Sequence, residues 1–271
     1  MSLHCIVCIK SVVREAPKGI GRRTPENSEL NPYDRPAVEA ALRLKELTCG
    51  RVTALSMGPD VGAEALAETQ AMGVDEAILV NDKALAGSDT LVTSKVLAAA
   101  VRRAAPFDLV LFGTRTSDSD TGQVGPQTAT VLGIPFLGGV KEIDRQLGQK
   151  HEQQPGQPSK HWEMKRQMDD WEESWVVAFP AAVTIHPRAF KPRPIPLIGI
   201  AQAHDPLDVQ RWGLTDIGVS AEEVGLQGSP TRVAQLEKLK RGRTCRMLEG
   251  EPQAQVEALI AHLKTMGVMA S

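Results

Sequence analysis

The sequence predicts an α/β protein: a doubly wound, mostly parallel sheet with helices on both faces, a β-hairpin excursion and an extended C-terminal arm. Short apolar runs alternate with helical segments at intervals of roughly 30 residues, which is the spacing of βαβ crossovers. Hydrophobic residues make up 42% of the chain and aromatic residues only 4%, so the core consists mostly of Ala, Val, Leu and Ile. This composition is typical of a parallel sheet covered by helices.

The first half of the chain contains the predicted parallel strands and their helices. Each strand is a run of four to six mostly apolar residues, the usual length of a buried strand, at 4–9, 52–57, 76–80, 108–112 and 134–137. Each helix begins at a turn that contains Pro, Gly, Ser or Asp, at 31–34, 58–60, 87–90 and 121–126. The regular alternation predicts right-handed crossovers and helices on both sheet faces.

The pattern changes after residue 140. The runs 140–144, 162–168 and 174–179 predict antiparallel strands, and the Gln- and Pro-rich segment 146–160 predicts an exposed hairpin tip. The run 180–185 predicts a buried strand, after which prolines punctuate the chain. No alternating strands are expected from Pro187 until a last helix at 253–266. We therefore expect a domain at 1–200 and, at 201–271, an arm that wraps a partner.

Composition excludes several classes of protein. Lys and Arg total 31 and Asp and Glu total 33, and this balance argues against nucleic acid or a membrane surface bound through bulk charge. No apolar run approaches the roughly 20 residues of a membrane helix, so no stable membrane insertion is expected. The first apolar run is too short for a signal peptide, and the four cysteines show no disulfide spacing. These features predict a cytoplasmic protein.

Motifs for catalysis and metal binding are not found. Neither G-x-x-x-x-G-K-[ST] nor a G-x-G-x-x-G after the first strand occurs. Cys5 and Cys8 lie three residues apart on one strand and should face opposite sides of the sheet, which disfavours a metal or redox pair. The six histidines do not cluster with cysteines or acids at ligand spacing. We expect no catalytic residue and no metal in this chain.

The most informative turn follows the strand at 108–112. Ligands of an open parallel sheet bind beyond the carboxyl ends of its strands, where helix N-termini favour anions. In this turn, hydroxyl and carboxylate residues precede two glycines that frame a helix start, and Thr121, Gln123 and Thr128 offer side-chain donors. Two interpretations stay open. Either a nucleotide phosphate binds here, or the loop is only a capped helix start, since Asp and Thr are ordinary N-caps.

Segments in this order resemble the β subunit of electron transfer flavoproteins. They span nearly the whole chain, at 8–10, 31–34, 41–46, 56–59, 71–75, 118–126 and 179–184. The hairpin signature of that family falls on Arg166, Asp169 and Glu173. The resemblance implies an adenine nucleotide α-hydrolase-like domain and an obligate heterodimer with an α subunit that carries an electron-shuttling FAD.

The resemblance also implies a nucleotide site in this chain. The residues that match it are Cys8, Asn31, Pro32, Tyr33, Asp34, Met57, Asp118, Ser119, Asp120, Thr121, Gly122, Gln123, Val124, Gly125, Pro126, Gln127, Thr128 and Ala129. In one branch of the family the ligand there is AMP, with a structural role. In the flavin-bifurcating branch it is a second FAD, which takes a hydride from NADH and splits the electron pair.

The segment 87–94 favours the flavin-bifurcating branch. It resembles that branch's Gly-[Ala/Ser]-Asp-Thr-x-Ala-Thr-[Ser/Ala], with Val92 in place of the usual Ala, and it adds Asp89, Thr90 and Thr93 to the flavin site. A flavin is larger than AMP and needs extra hydrogen-bonding partners. The alternatives are an AMP-binding subunit that only scaffolds the FAD of the α subunit, and a plain Ser/Asp cap on an Ala-rich helix.

The resemblance also implies a redox partner. Leu197 matches the Leu of the loop that binds acyl-CoA dehydrogenases, although Gln202 and His204 stand where lysines are common. The expected function is therefore electron relay between NADH or an acyl-CoA dehydrogenase-type protein and a second acceptor, with NADH oxidised only in the presence of the α subunit. A rival of another class is a universal-stress-type nucleotide-binding protein, whose late Gly-x-x-Gly phosphate loop is not found in the sequence.

Overall fold

The computed structural model describes residues 2–14, 23–144, 161–202, 208–235, 245 and 247–269. The strands in these residues are β1 His4–Cys8, β2 Ser11–Val13, β3 Ser28–Leu30, β4 Arg51–Met57, β5 Glu76–Val80, β6 Leu109–Gly113, β7 Phe136–Asp144, β8 His161–Met168, β9 Trp171–Ala178, β10 Ala181–Ile185 and β11 Gln210–Trp212. The helices are α1 Arg35–Thr48, α2 Gly62–Met72, α3 Thr90–Arg103, α4 Val124–Leu132, α5 Leu197–Gln202, α6 Leu214–Ile217, α7 Gly225–Gly228 and α8 Pro252–Thr265.

The main sheet of the described residues has nine strands in the order β11-β5-β4-β1-β6-β10-β7-β8-β9. Neighbours from β11 to β7 are parallel, whereas β7, β8 and β9 pair antiparallel. The predicted fold class, a mostly parallel sheet with a hairpin excursion, is confirmed. This order places the carboxyl ends of β4, β1 and β6 side by side, which decides where a ligand site can form.

The core lies on both faces of the sheet. On one face, Leu66 of α2 is fully buried together with the inner residues of α1; on the other, Val96 of α3 and Ala129 of α4 are fully buried. Each fully buried Val or Leu stabilises the fold by about 1.5–3 kcal/mol. Cys5 belongs to the first layer and Cys8 to the second, so the prediction that they face opposite sides is confirmed.

The predicted separation of the runs 134–137 and 140–144 is wrong, because residues 136–144 form the single strand β7. Gly139 has φ +72°, a left-handed conformation that glycine adopts without strain. The pairing register between β7 and β10 shifts at this point, between Val183 and Ile185. A bulge of this kind bends a strand. The residues of β7 up to Val140 pair parallel with β10, and those from Val140 onward pair antiparallel with β8.

The expectation of no strand between Pro187 and the last helix is also wrong. The strand β11 pairs with β5 at the edge of the sheet, and its three residues are too few to show a period in the sequence. The compact unit that contains the sheet runs to Val233, and residues 234–271 form a second unit that contains α8. The predicted hairpin tip at 146–160 lies outside the described residues. None of the helices in the described residues combines the length and the hydrophobicity that a membrane span requires.

Candidate functional site

The carboxyl ends of β1, β4 and β6 bring most of the predicted site residues to one edge of the sheet. Cys8 ends β1, Met57 ends β4, and the segment 31–34 leads into α1. The turn 114–123 joins β6 to α4 and is mostly exposed, with residues 117–123 all at the surface. The Cys8 side chain itself is buried in the core, so only the backbone of this position is available at the edge.

Asn31 connects the two loops that border this edge. Its side-chain N–H₂ donates to Asp34 Oδ1 and to the backbone oxygen of Arg115, both at 2.9 Å. Its side-chain oxygen accepts a hydrogen bond from the Ser117 N–H at 3.3 Å. Asn31 is fully buried, so its side chain holds the β6–α4 turn against the start of α1.

Asp34 is the buried carboxylate beneath the site. Its Oδ2 accepts the Lys10 N–H at 2.8 Å, and the Gly113 N–H also donates to it. Burial raises the pKa of the Asp34 carboxyl to about 7, against the hydrogen bonds from Lys10 and Asn31, which lower it. A Cβ on Gly113 would overlap Asp34 Oδ1 and lie 2.6 Å from the Tyr33 carbonyl oxygen, so only glycine fits there. Asp34 is therefore a scaffold that ties β1 to β6.

The N-terminus of α4 has the features of an anion site. Asp120 and Gly122 adopt left-handed backbone conformations, with φ +53° and +62°, and turn the chain into the helix. The N-cap residue, Gln123, makes no side-chain cap hydrogen bond. The first N–H groups of an α-helix have no partner within the helix, and together with the helix dipole they attract a phosphate.

The inner residues of α4 face the protein rather than this edge. Gly125, Thr128 and Ala129 are buried, and the Thr128 hydroxyl donates to the Val124 carbonyl oxygen of its own helix at 2.7 Å. Pro126 is partly exposed. The structure therefore places 118–124 at the rim, where a ligand can reach them. Of the later residues in the predicted set, Gly125, Thr128 and Ala129 pack in the interior.

The start of α3, in contrast, is capped from within the chain. Asp89 Oδ1 accepts the Val92 N–H at 3.0 Å, which is an N-cap. Asp89 Oδ2 accepts hydrogen bonds from the N–H and the hydroxyl of Thr231, at 3.1 and 2.8 Å. Thr93 lies one turn further into the helix, where its N–H donates to the Asp89 carbonyl oxygen. Both oxygens of the Asp89 carboxylate therefore have partners within the chain.

Side chains join the starts of α3 and α4. The Thr90 hydroxyl donates to Gln123 Oε1 at 3.1 Å. The Ser94 hydroxyl lies 2.7 Å from the Thr90 carbonyl oxygen and 3.1 Å from Gln127 Oε1. The motif at 87–94 thus lies beside the turn at 118–124, as a shared ligand site requires.

Three cations at this edge were not predicted as site residues. Lys10 Nζ lies 2.7 Å from Asp118 Oδ1, and an Arg23 Nη lies 3.5 Å from Asp118 Oδ2. The Arg115 guanidinium stacks on the Tyr33 ring at 4.8 Å and lies 3.5 Å from Asp120. Burial alone would raise the pKa of Asp118, but the hydrogen bond and charge of Lys10 hold it below its ordinary value. The position of Lys10 directly after β1 was the available signal, whereas nothing local in the sequence marks Arg23.

The hairpin signature and Leu197 lie elsewhere. Arg166 Nε donates to Glu173 Oε2 at 2.7 Å, and Trp175 donates to the same oxygen at 2.8 Å. Asp169 has φ +47° and turns β8 into β9 at the far end of the sheet. Leu197 begins α5 and is 86% exposed, so its side chain is available to a partner.

The described residues at the edge fit a nucleotide. The start of α4 has no side-chain cap hydrogen bond. Of the residues that the structure describes, a Cβ on Gly58 would meet only Arg23, at 4.0 Å, which leaves room beyond β4. Among the described residues, the buried Arg23 Nε has no hydrogen-bond partner. In the described residues no group of three or more His, Cys, Asp or Glu is arranged to hold a metal ion. Together these features define an open parallel α/β protein with a candidate anion site at the carboxyl edge of its sheet.

Comparison with known proteins makes this class specific. Residues 22–209 match the electron transfer flavoprotein domain, and the chain therefore belongs to the electron transfer flavoprotein family. It is 33% identical to an electron transfer flavoprotein subunit beta of Thermoanaerobacterium thermosaccharolyticum over 96% of this chain and 92% of that protein. It is 37% identical to the caffeyl-CoA reductase-Etf complex subunit CarD of Acetobacterium woodii, over 85% and 86%. It is 33% identical to the acryloyl-CoA reductase electron transfer subunit gamma of Anaerotignum propionicum, over 96% and 98%.

Proposed function

We propose that this chain is the β subunit of a heterodimeric electron transfer flavoprotein and that it binds FAD at the edge formed by β4, β1 and β6. The observation that carries the proposal is the hydrogen bond between Thr90 and Gln123, which joins the flavin-type motif at 87–94 to the phosphate-type turn at 118–124. The names of the A. woodii and A. propionicum relatives include CoA-ester reductases, which supports a role in electron supply to such enzymes.

The proposed roles of the residues follow from their positions. The uncapped start of α4 at Val124 binds a phosphate through backbone N–H groups. Asn31 and Asp34 hold the loops in place from below, and the half-buried Tyr33 borders the ligand. Bound FAD supplies two-electron exchange with a nicotinamide and one-electron exchange with other carriers. The protein binds and orients the cofactor and excludes competing reactions.

Under this proposal the chain acts only with an α subunit, and its dehydrogenase- or reductase-type partner docks at Leu197. NADH is the proposed donor, and the proposed location is the cytoplasm. The balanced charge of the chain supports protein and small-molecule partners over nucleic acid.

A second candidate is an AMP-binding β subunit that only scaffolds the FAD of the α subunit. The observation that favours it is the engagement of Asp89, whose two oxygens already cap α3 and bind Thr231. Of Asp89, Thr90 and Thr93, the three residues that the 87–94 segment adds to the proposed flavin site, only Thr90 and Thr93 are then proposed to contact a flavin. The universal-stress-type alternative gains no support from the family match.

The deciding experiment is a cofactor count. The chain is co-expressed with its α subunit, and the flavin and AMP released from the purified heterodimer are measured by absorbance and chromatography. Two flavins and no AMP per heterodimer support the proposal. One flavin with one AMP overturns it in favour of the second candidate.

A further inference from the structure

Lys10 and Arg23 form a second cationic position beside the start of α4. The strands β4, β1 and β6 are neighbours in the sheet. The residues that follow them, Gly58 after β4, Lys10 after β1 and Asp118 after β6, therefore lie close together. One Arg23 Nη lies 3.5 Å from Asp118 Oδ2, and the other lies 4.0 Å from the Cβ position of Gly58, so the guanidinium reaches across the end of β1. The side chains of Lys10, Arg23 and Asp118 are 32%, 25% and 21% exposed, so the cluster is half-buried.

The pairing within this cluster is incomplete. Asp118 supplies one negative charge to two cations, and its contact with Arg23 is at the outer limit of a hydrogen bond. The Arg23 Nε is buried and makes no hydrogen bond within the part of the chain that the structure describes. A buried donor without a partner is unfavourable, and arginine presents several donors in a plane that matches phosphate oxygens. One carboxylate for two cations, together with the incomplete pairing of Arg23, leaves the cluster able to take a further anionic group.

We propose that Lys10 and Arg23 bind the second phosphate of a nucleoside diphosphate moiety, and so select a diphosphate-containing ligand over a monophosphate. This inference rests on the proposed nucleotide site. A single phosphate is satisfied by the N–H groups at the start of α4 alone. A second phosphate adds negative charge next to the turn, and Lys10 and Arg23 bind it. Asp118 and Ser119 hold these two cations in position.

The test compares ADP with AMP as probes. The heterodimer with its α subunit is freed of bound nucleotide, and the two dissociation constants are measured by calorimetry for the parent protein and for Arg23→Gln, Arg23→Lys and Lys10→Gln. The parent is expected to bind ADP more tightly than AMP. Arg23→Gln and Lys10→Gln should each weaken ADP binding about tenfold and leave AMP binding within about threefold, because each loses one charge-assisted contact. Arg23→Lys, which keeps the charge, should retain part of the preference.

A matched control is Arg14→Gln. Arg14 pairs with Glu29 at the surface and is 64% exposed, so its loss should change neither constant. If the parent binds ADP and AMP with equal affinity, this inference is wrong but the proposed nucleotide site stands. The same holds if Arg23→Gln weakens the binding of ADP and of AMP equally. Failure of the parent to bind either nucleotide overturns the proposed nucleotide site as well, so the two failures are distinguishable.

Discussion

The Thr90 hydroxyl donates a hydrogen bond to the side-chain oxygen of Gln123, 3.1 Å away, and so joins the start of α3 to the start of α4. The two residues are 33 positions apart in the chain. They meet because α3 and α4 pack side by side on one face of the sheet and begin at the same edge. This contact places two separate sequence motifs in one candidate site.

The first prediction concerns the flavin. The double variant Thr90→Val, Thr93→Val should lose the proposed second flavin, because each lost hydrogen bond to a buried group costs about 1–3 kcal/mol. The flavin count per heterodimer should fall from two to one, while an AMP-sized ligand still binds. Thr130→Val, on the exposed side of α4, is the control. A variant that melts at a lower temperature but keeps both flavins would show that these threonines only stabilise the helix.

The second prediction concerns Gly113. Gly113→Ala should destabilise the heterodimer by about 1–3 kcal/mol, because the new methyl group overlaps Asp34 and the Tyr33 carbonyl oxygen. Thermal unfolding measures the loss. Gly138→Ala is the matched control, since the Cβ there would meet Phe136 at 3.5 Å, an ordinary contact distance. Equal melting temperatures for the two variants would contradict the close packing of β6 against the 31–34 segment.

The third prediction is a pH dependence from Asp34. Because burial raises its pKa to about 7, the folded state binds more protons than the unfolded state between the ordinary pKa of about 4 and pH 7. The contribution of Asp34 to stability should therefore be greatest at low pH and decline as the pH rises to about 7. Asp34→Asn cannot titrate, so the difference in melting temperature between parent and variant should shrink from pH 5 to pH 8. A constant difference would contradict the raised pKa.

The fourth prediction concerns the partner surface. Leu197→Asp should leave the melting temperature unchanged, because the side chain is 86% exposed. It should weaken binding of the proposed acyl-CoA dehydrogenase-type partner at least about tenfold. Surface plasmon resonance with the heterodimer measures the affinity. Leu47→Asp, at a 54% exposed position on α1, is the control and should bind as the parent does. Equal weakening by both variants would argue against a specific role for Leu197.

The fifth prediction concerns residues 234–271. The apolar residues Val256, Leu259 and Ile260 of α8 are exposed in the chain by itself, so we expect the α subunit to bury them. A chain that ends at Val233 should no longer co-purify with the α subunit. By hydrogen exchange, residues 252–265 of the full chain should be unprotected alone and protected in the heterodimer. Full protection of these residues in the isolated chain would refute a partner-wrapping arm.

The sequence predicted those parts of the fold that depend on local pattern. Buried strands such as β1 and β6 are short apolar runs, and their lengths alone identified them. The bulge at Gly139 was not predicted, because the pair Gly138-Gly139 is compatible both with a break between two strands and with a bend within one strand. The strand β11 was not predicted, because its three residues are extended as a result of pairing with β5. The residues around β11 in the sequence give no sign of that pairing.

For the candidate site, the order of segments such as 31–34 and 118–126 carried the resemblance to the electron transfer flavoprotein β subunit, and that resemblance implied which segments belong together. Only the tertiary structure decided what each side chain does. It shows that Asn31 and Asp34 bind loops to each other, that Asp89 caps α3, and that Arg23 reaches Asp118 from 95 positions away. The physical reason is that hydrogen bonds and ion pairs act over a few ångströms in space. The strand order β4-β1-β6, and not the position along the chain, sets those distances.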